Sequence, residues 1–335
     1  MVRIKDVAKR ANVSTATVSH VINGTRFVMK ETRKKVYDAM RELNYRPNSV
    51  ARSLRSKKSK IIGLLVPIMP QDTSNFFFMS VAQGIENVLK ESGYNLILSN
   101  SKEDIDVERE QIKAFNSHLI DGLIMAPTFD DHSYLSDMTL EDYPLVFIDR
   151  KPTRMQGDCV LSDGGEGAYQ AVTHFLKKGH RRIGFITGSL GITSSDERLD
   201  GYKRALTEKG IAVDDKLIQV ADSAHSSFKS GYVLAKKLVQ ETEVTAILVA
   251  NNVMTMGALS YLQEHKIKIP DEIAIIGFDD YEWAQVTQPA LSMVRQPSIE
   301  LGETAARMLL ERIEQPENPY REVKLATELV IRNSS

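Results

Sequence analysis

Apolar residues recur at helical spacing twice within residues 4–23, IKDVAKRANVSTATVSHVIN. Ile4, Val7, Ala8 and Ala11 stand at i, i+3, i+4 and i+7, and Val18, Val21 and Ile22 repeat the interval. The pattern predicts two short helices meeting at Asn12 and Val13, each with one apolar stripe. Ser14 is the predicted N-cap of the second, because its hydroxyl can accept an orphan backbone N–H ahead of the run from Thr15. If the stripes pack together, Thr15, Ala16, Ser19, His20 and Asn23 stay outside. A helix-turn-helix sets such a face in a DNA major groove, where hydroxyl, methyl, amide and imidazole groups reach base edges or phosphates. The same pattern also fits a helical hairpin inside a larger core. A third helix is predicted over 30–44, with Val36, Met40 and Leu43 inward and Arg33, Lys34 and Lys35 outward. Tyr45, Arg46 and Pro47 end it, since the residue before a proline is pushed out of the α region.

The next stretch, NSVARSLRSKKSK, pairs Val50 with Leu54 at i, i+4 and carries Arg52, Arg55, Lys57, Lys58 and Lys60. Two turns of helix do not offset their own nucleation cost in water, so the segment is either a plain linker or a helix ordered by a partner. From Ile61 onward, short apolar runs alternate with amphipathic windows, the pattern of a parallel sheet with crossover helices. Strands are predicted at 61–66, 95–99, 122–126 and 145–148, with helices near 79–91, 107–118 and 132–138. A second series has strands at 182–187, 217–220, 245–250 and 273–277, helices near 165–178, 196–209, 228–240 and 253–265, and a final strand at 328–331. Two successive doubly wound halves imply a cleft between them, with ligands outside the carboxyl ends of the strands.

Charge sharpens this division. Residues 1–60 hold 16 Lys and Arg against 4 Asp and Glu, whereas the remaining 275 hold 27 against 40. A basic segment interleaved with apolar residues at helical spacing favours a folded nucleic-acid-binding module over a solvated tail. The single Cys159 excludes an intramolecular disulfide and fits a reducing compartment, and a buried strand is expected around it. No leader opens the sequence and no run of about 18 apolar residues occurs, so a soluble cytoplasmic protein without membrane contact is expected.

Little in the chain points to catalysis. The glycine cluster at 163–167 lacks the lysine of a phosphate-binding loop, and the seven histidines show no metal-ligand spacing. The adjacent carboxylates Asp130 with Asp131 and Asp279 with Asp280 read as solvated turns, and no nucleophile is paired with a base. Neither an enzyme nor a bound cofactor or metal is expected. Polar groups at strand ends make a binding case instead. Asp149 and Arg150 follow LVFI, Arg198 opens a helix, Asn251 follows ILVA, Asp279 follows IIGF, and Gln296 follows LSMVR. Carboxylates, a carboxamide and guanidiniums suit a small polyhydroxylated ligand, because each hydroxyl both donates and accepts. Phe77 and Phe78, after Asn75, supply flat faces for the apolar side of a sugar ring.

These residues carry a resemblance. DVAKRANVSTATVSHVIN, ETRKKV, LNYRPNSVARSL and IIGLLVP resemble the N-terminus of the lactose-repressor (LacI) family, closest in wording to its purine-repressor branch, and GHRRIGFITG, RLDGYKRAL, VTAILVANN, IPDEIAIIGFDD and LSMVRQP extend the similarity over nearly the whole chain. The resemblance implies a helix-turn-helix domain at 1–47, a hinge helix and linker at 48–60, and a periplasmic-binding-protein-like ligand and dimerisation domain at 61–335. Its N-subdomain would span about 61–160 and 293–321, and its C-subdomain about 161–292 and 322–335. Thr15, Ala16 and His20 would read bases, while Thr17, Asn23 and Arg26 would contact the backbone. In the hinge, Val50, Leu54 and Arg55 would meet the operator, with Leu54 the minor-groove wedge that kinks it.

The order Asn75, Phe77 and Phe78, Asp149 and Arg150, Glu197 and Arg198, Asn251, Asp279 and Gln296 is similar to that of ribose-type sugar-binding proteins, which implies ribose or a close pentose as effector. Three positions depart from that pattern: Phe76 stands where proline is common, Asn252 where aspartate is usual, and Ser226 where relatives often carry a stacking aromatic. His225, Phe228 or Trp283 are candidates to replace that ring. A purine effector would favour an aromatic at Ser226. The expected molecule is a homodimeric repressor on a pseudo-palindromic operator, a dimer because no leucine heptads follow residue 331. A sugar inducer is favoured over a purine or phosphocarrier-protein corepressor, and the contrasting class is a sugar-binding module without regulatory DNA binding.

Overall fold

A computed structural model of the chain describes residues 2–24, 26–45, 58–69, 75–128, 131–138, 143–221 and 227–335. The chain divides into a unit at 1–59 and a larger one at 60–335. Val50, Leu54 and Arg55 of the expected hinge lie outside the described residues.

In the first unit, helices α1 (Ile4–Ala11), α2 (Thr15–Asn23) and α3 (Lys30–Glu42) close on one another. Val7, Ala8, Ala11, Val18, Val21, Val36 and Ala39 form the core, with Ile4, Ile22, Met40 and Leu43 packed at its margin. The small alanines let the helix axes approach where a short sequence has few large side chains to fill a gap. Two local devices set the turn between α1 and α2. Asn12 adopts the left-handed conformation, φ 53°, which an asparagine tolerates at a helix end. Ser14 Oγ then accepts the Thr17 amide at 3.0 Å, as its N-cap position requires.

The second unit holds two six-stranded sheets. The first runs β11-β5-β4-β3-β1-β2, with β1 Ile61–Val66, β2 Asn95–Asn100, β3 Gly122–Met125, β4 Leu145–Ile148, β5 Asp158–Ser162 and β11 Glu322–Leu325. The second runs β12-β10-β9-β8-β6-β7, with β6 Ile183–Thr187, β7 Ile218–Val220, β8 Ala246–Val249, β9 Ala274–Phe278, β10 Ser292–Arg295 and β12 Glu328–Val330. Among the described residues every strand pairing is parallel except β10 with β12, so the sheets need cover on both faces. Helices α4 (Asn75–Glu91) and α12 (Ser298–Glu314) cover one face of the first sheet, and α5 (Ile105–Ser117) with α6 (Leu135–Met138) the other. In the second, α7 (Gly164–Lys177) and α8 (Thr193–Glu208) oppose α9 (Phe228–Glu241) and α10 (Asn252–Glu264), with the short α11 at Trp283–Val286. No described helix is long and apolar enough to cross a membrane.

Two segments change sides relative to the expected subdomain boundaries. β10 pairs with β9, Met293 opposite Gly277, and so belongs to the second sheet, whereas β11 pairs with β5, Glu322 opposite Cys159, and belongs to the first. Their partners decide this. Ser292, Met293 and Val294 are fully buried beside β9, and Asp158 accepts the Arg321 amide at 2.9 Å, which fixes where β11 starts. The chain therefore passes between lobes three times, after β5, after β10 and between β11 and β12.

Helix α12, which the sequence reading did not identify, seats on α4 through a pair of glycines. A Cβ on Gly302 would lie 2.1 Å from the Val81 carbonyl oxygen, and one on Gly84 would lie 2.1 Å from that of Ile299. Both obstacles are backbone, which cannot rotate aside. Gly302→Ala is expected to force the helices apart and destabilise the full-length protein by about 1–3 kcal/mol in thermal or denaturant unfolding. An unmoved midpoint would show that the contact is not tight.

Candidate functional site

Two surfaces gather the residues singled out from the sequence. On the first unit, Thr15, Ala16, Asn23 and Arg26 are exposed and Thr17, Ser19 and His20 half-exposed, while Val18 and Val21 are buried between them. The outer face of α2 is thus the one anticipated. Its polar groups are already ordered: Thr17 Oγ1 lies 2.9 Å from Ser14 Oγ, and Asn23 Nδ2 donates to Ser19 Oγ at 3.1 Å. The first turn of α2 carries no acidic residue, so its partial positive charge is uncancelled where a phosphate would approach.

In the second unit, Phe77, Phe78, Asp149, Arg150, Arg198, Asn251, Asp279 and Gln296 all line one cleft at the carboxyl ends of the strands of both sheets. Asn75 opens α4 nearby, but its side chain lies outside what is described. The two halves contribute matching devices. Asp149 follows β4 and Asp279 follows β9, and both adopt the left-handed conformation, φ 67° and 66°, a strain that concentrates at functional positions. Each keeps its backbone in the sheet, Asp149 N donating to Val160 O and Asp279 N to Val294 O.

The guanidiniums are held rigidly. Arg198 donates from Nη1 to Ala250 O at 2.7 Å and lies 4.4 Å over the Phe278 ring. Its aliphatic stem and Nε rest on Gly164, where a Cβ would stand 2.9 Å from Nε. The glycines that open α7 therefore serve close packing. Arg150 donates from Nη1 to Glu103 Oε1 at 2.5 Å and from Nε to Asp149 Oδ2 at 3.4 Å. Burial pulls the Arg150 pKa down, but Glu103 and Asp149 more than offset this and hold it above the ordinary value. Gln296 bridges the lobes, its Nε2 donating to Asp279 Oδ1 at 2.5 Å and its Oε1 accepting from Ser162 Oγ. Asn251 uses Oδ1 to cap α10, accepting the Met254 amide.

The rings are Phe77 and Phe78, packed edge to face at 5.2 Å, both nearly buried and both lining the cleft. Phe76 points away, exposed and beside Tyr281 at 5.7 Å. Of the three residues considered as a replacement stacking partner, Trp283 packs against the core of the second sheet and Phe228 is not among the cleft residues, while His225, like Ser226, lies outside the described part. Asp280 corrects the expectation of a solvated turn at 279–280. Its side chain is buried and held by Arg295 at 2.5 Å and Arg332 at 2.6 Å. Burial raises its pKa, but the two arginines more than reverse this and keep it below the usual carboxylate range. Cys159 lies in β5 as anticipated, and burial pushes its thiol up to about 11, so it packs as a small hydrophobe.

Sequence reasoning missed Glu103, Ser162, Ser194 and Ser195. Ser162 ends β5, a strand expected around Cys159 but not given bounds, so the rule that singled out Asp149 had no strand end to apply to; Glu103 lies three residues past β2, beyond the reach of that rule.

Residues 3–48 match the model described as bacterial regulatory proteins, lacI family, and residues 172–335 the periplasmic binding protein-like domain. The chain is 37% identical to a ribose operon repressor of Haemophilus influenzae, an alignment covering all of this chain and 98% of the relative. It is 35% identical to an HTH-type transcriptional repressor PurR of Aliivibrio salmonicida, covering all of this chain and 99% of that one. A LacI-family regulator from Enterococcus faecium solved with bound ribose superposes with a TM-score of 0.71 at 28% identity, over 82% of this chain and 98% of the other. The chain belongs to the LacI family and is a DNA-binding transcriptional repressor with a helix-turn-helix head and a periplasmic-binding-protein-like domain.

Proposed function

We propose that this repressor is a cytoplasmic homodimer released from a pseudo-palindromic operator by a pentose, with ribose the first choice. The observation that carries the reading is the paired construction of the cleft, in which Asp149 with Arg150 from one lobe meets Asp279 with Arg198 from the other across Phe77 and Phe78. Vicinal hydroxyls of a furanose or pyranose engage a carboxylate and a guanidinium together, and the phenyl rings accept the apolar C–H face. The ribose-bound relative and the ribose operon repressor support this choice. The PurR likeness supports the second reading, a purine corepressor, but no further aromatic ring joins Phe77 and Phe78 among the described cleft residues.

On the operator, Thr15, Ala16 and His20 read base edges, and Thr17, Asn23 and Arg26 fix the register through phosphates. The hinge residues Val50, Leu54 and Arg55 complete the contact. Sugar closes the lobes about the three crossings, which alters the separation of the two hinge segments in the dimer and removes their joint helix.

Full-length protein tested with ribose, other pentoses, hexoses, hypoxanthine and guanine decides between the readings. A sugar bound only to the native state at about 100 times its Kd stabilises by about 2.7 kcal/mol, a shift of a few degrees in melting temperature. Ribose is expected to give that shift and to lower operator retention in a gel assay. A shift with hypoxanthine alone, accompanied by tighter retention, would replace the inducer reading with the corepressor one.

A further inference from the structure

We propose that Glu103 sets the charge class of ligand that the cleft admits, accepting neutral polyols and rejecting phosphorylated or carboxylated sugars. The inference rests on the carbohydrate reading above. Glu103 sits in the turn between β2 and α5, where it and Lys102 are both left-handed, φ 55° and 56°. Two successive side-chain-bearing residues in that region persist only where their surroundings impose it. Here they do. The Asn100 carboxamide oxygen accepts from the Ile68 and Lys102 amides, both at 2.8 Å, and its nitrogen donates to Ile68 O at 2.7 Å. On the other side, Asp104 donates its amide to Ser101 O and caps α5, its carboxylate accepting from Asp106 N at 2.9 Å and Val107 N at 3.0 Å.

The product of this clamped turn is a carboxylate, its side chain 7% exposed, driven against Arg150 in the cleft wall. Among the described residues, the ionisable groups lining the cleft are then Glu103, Asp149 and Asp279 against Arg150 and Arg198, one negative charge in excess. Without Glu103 these described charges would balance. Arg150, met otherwise among the described residues only by Asp149 at Nε, would also present an uncompensated guanidinium edge, the group best suited to phosphate and carboxylate. With Glu103 in place, that edge is occupied and an entering anion meets an excess of like charge in a poorly solvated site. A neutral hydroxyl meets no such repulsion, and it finds the remaining Arg150 N–H groups held in one orientation.

Calorimetric titration of the full-length protein with D-ribose and with D-ribose 5-phosphate tests this, each preference being a ratio taken within one variant so that a general loss of stability cancels. The wild type is expected to favour ribose by about 100-fold, the order of magnitude an uncompensated buried charge commands. Glu103→Gln should reduce that preference at least about tenfold, weakening ribose and strengthening the phosphate. Glu103→Asp keeps the charge and should keep the preference within about threefold while both affinities fall; it decides the matter by itself if the glutamine variant does not fold. An unchanged ratio in Glu103→Gln, or a ratio lost in Glu103→Asp, overturns the proposal while leaving ribose as the ligand. A wild type that binds hypoxanthine and neither sugar overturns the carbohydrate reading and this proposal together.

Discussion

Arg198→Ala is expected to weaken ribose binding by about 100-fold or more, on the basis that two lost charge-assisted hydrogen bonds are worth about 1.5–3 kcal/mol each. Operator affinity without sugar should stay within about twofold, because on the proposed reading the substitution removes a ligand contact and leaves the helical head untouched. The geometry makes Arg198 a strong anchor: the Phe278 ring, the Ala250 carbonyl and the bare Cα of Gly164 confine the guanidinium, so little ordering entropy is left to lose when a ligand arrives. Arg198→Lys should fare almost as badly, since a point charge on a flexible stem does not reproduce the planar fork. Calorimetry with ribose, paired with a gel-shift titration, measures both quantities. Retained ribose affinity in Arg198→Ala would reduce this residue to a packing role and remove the core of the effector assignment.

Arg312→Met is expected to destabilise the protein by about 3–5 kcal/mol, the cost of leaving a buried partner charge uncompensated. Arg312 donates from Nε and Nη2 to the two oxygens of Asp158, at 2.9 and 3.1 Å, with both side chains buried. The same guanidinium donates to the carbonyls of Pro316, Asn318 and Pro319. It therefore orders the whole return from α12 into β11. Asp158→Leu should cost a similar amount, and the double variant Arg312→Met with Asp158→Leu should recover much of the loss, because the penalty belongs to the unpaired charge. Denaturant unfolding of the three variants measures this. Additive losses in the double variant would contradict the account.

The local features were legible because local physics wrote them. The stripe at Val7, Ala8, Ala11, Val18 and Val21, the Ser14 cap and the polar residues at strand ends all follow from spacing within a few residues, and the structure has them where the spacing indicates. The lobe assignment of β10 and β11 was not legible, because it depends on partners far away in the chain: a run such as SMVR is equally good beside either sheet until β9 receives it. β11 is harder still, since its alternating half-exposure resembles an edge strand of either lobe. Glu103 was hidden for another reason. Its placement comes from an unusual backbone conformation that Asn100 and Asp104 impose, and neither residue type signals two left-handed neighbours.

Because the polypeptide shuttles three times between its halves, with β11 stitched into one sheet and β12 into the other, no single cut releases a half that owns all its strands. A truncation ending after residue 291 would strip β11 and the α12 cover from the first sheet and both β10 and β12 from the second, so screening libraries of shortened chains should return insoluble material instead of independent lobes. A nick in a surface turn, by contrast, should leave the fragments locked together, woven like the strands of a braid.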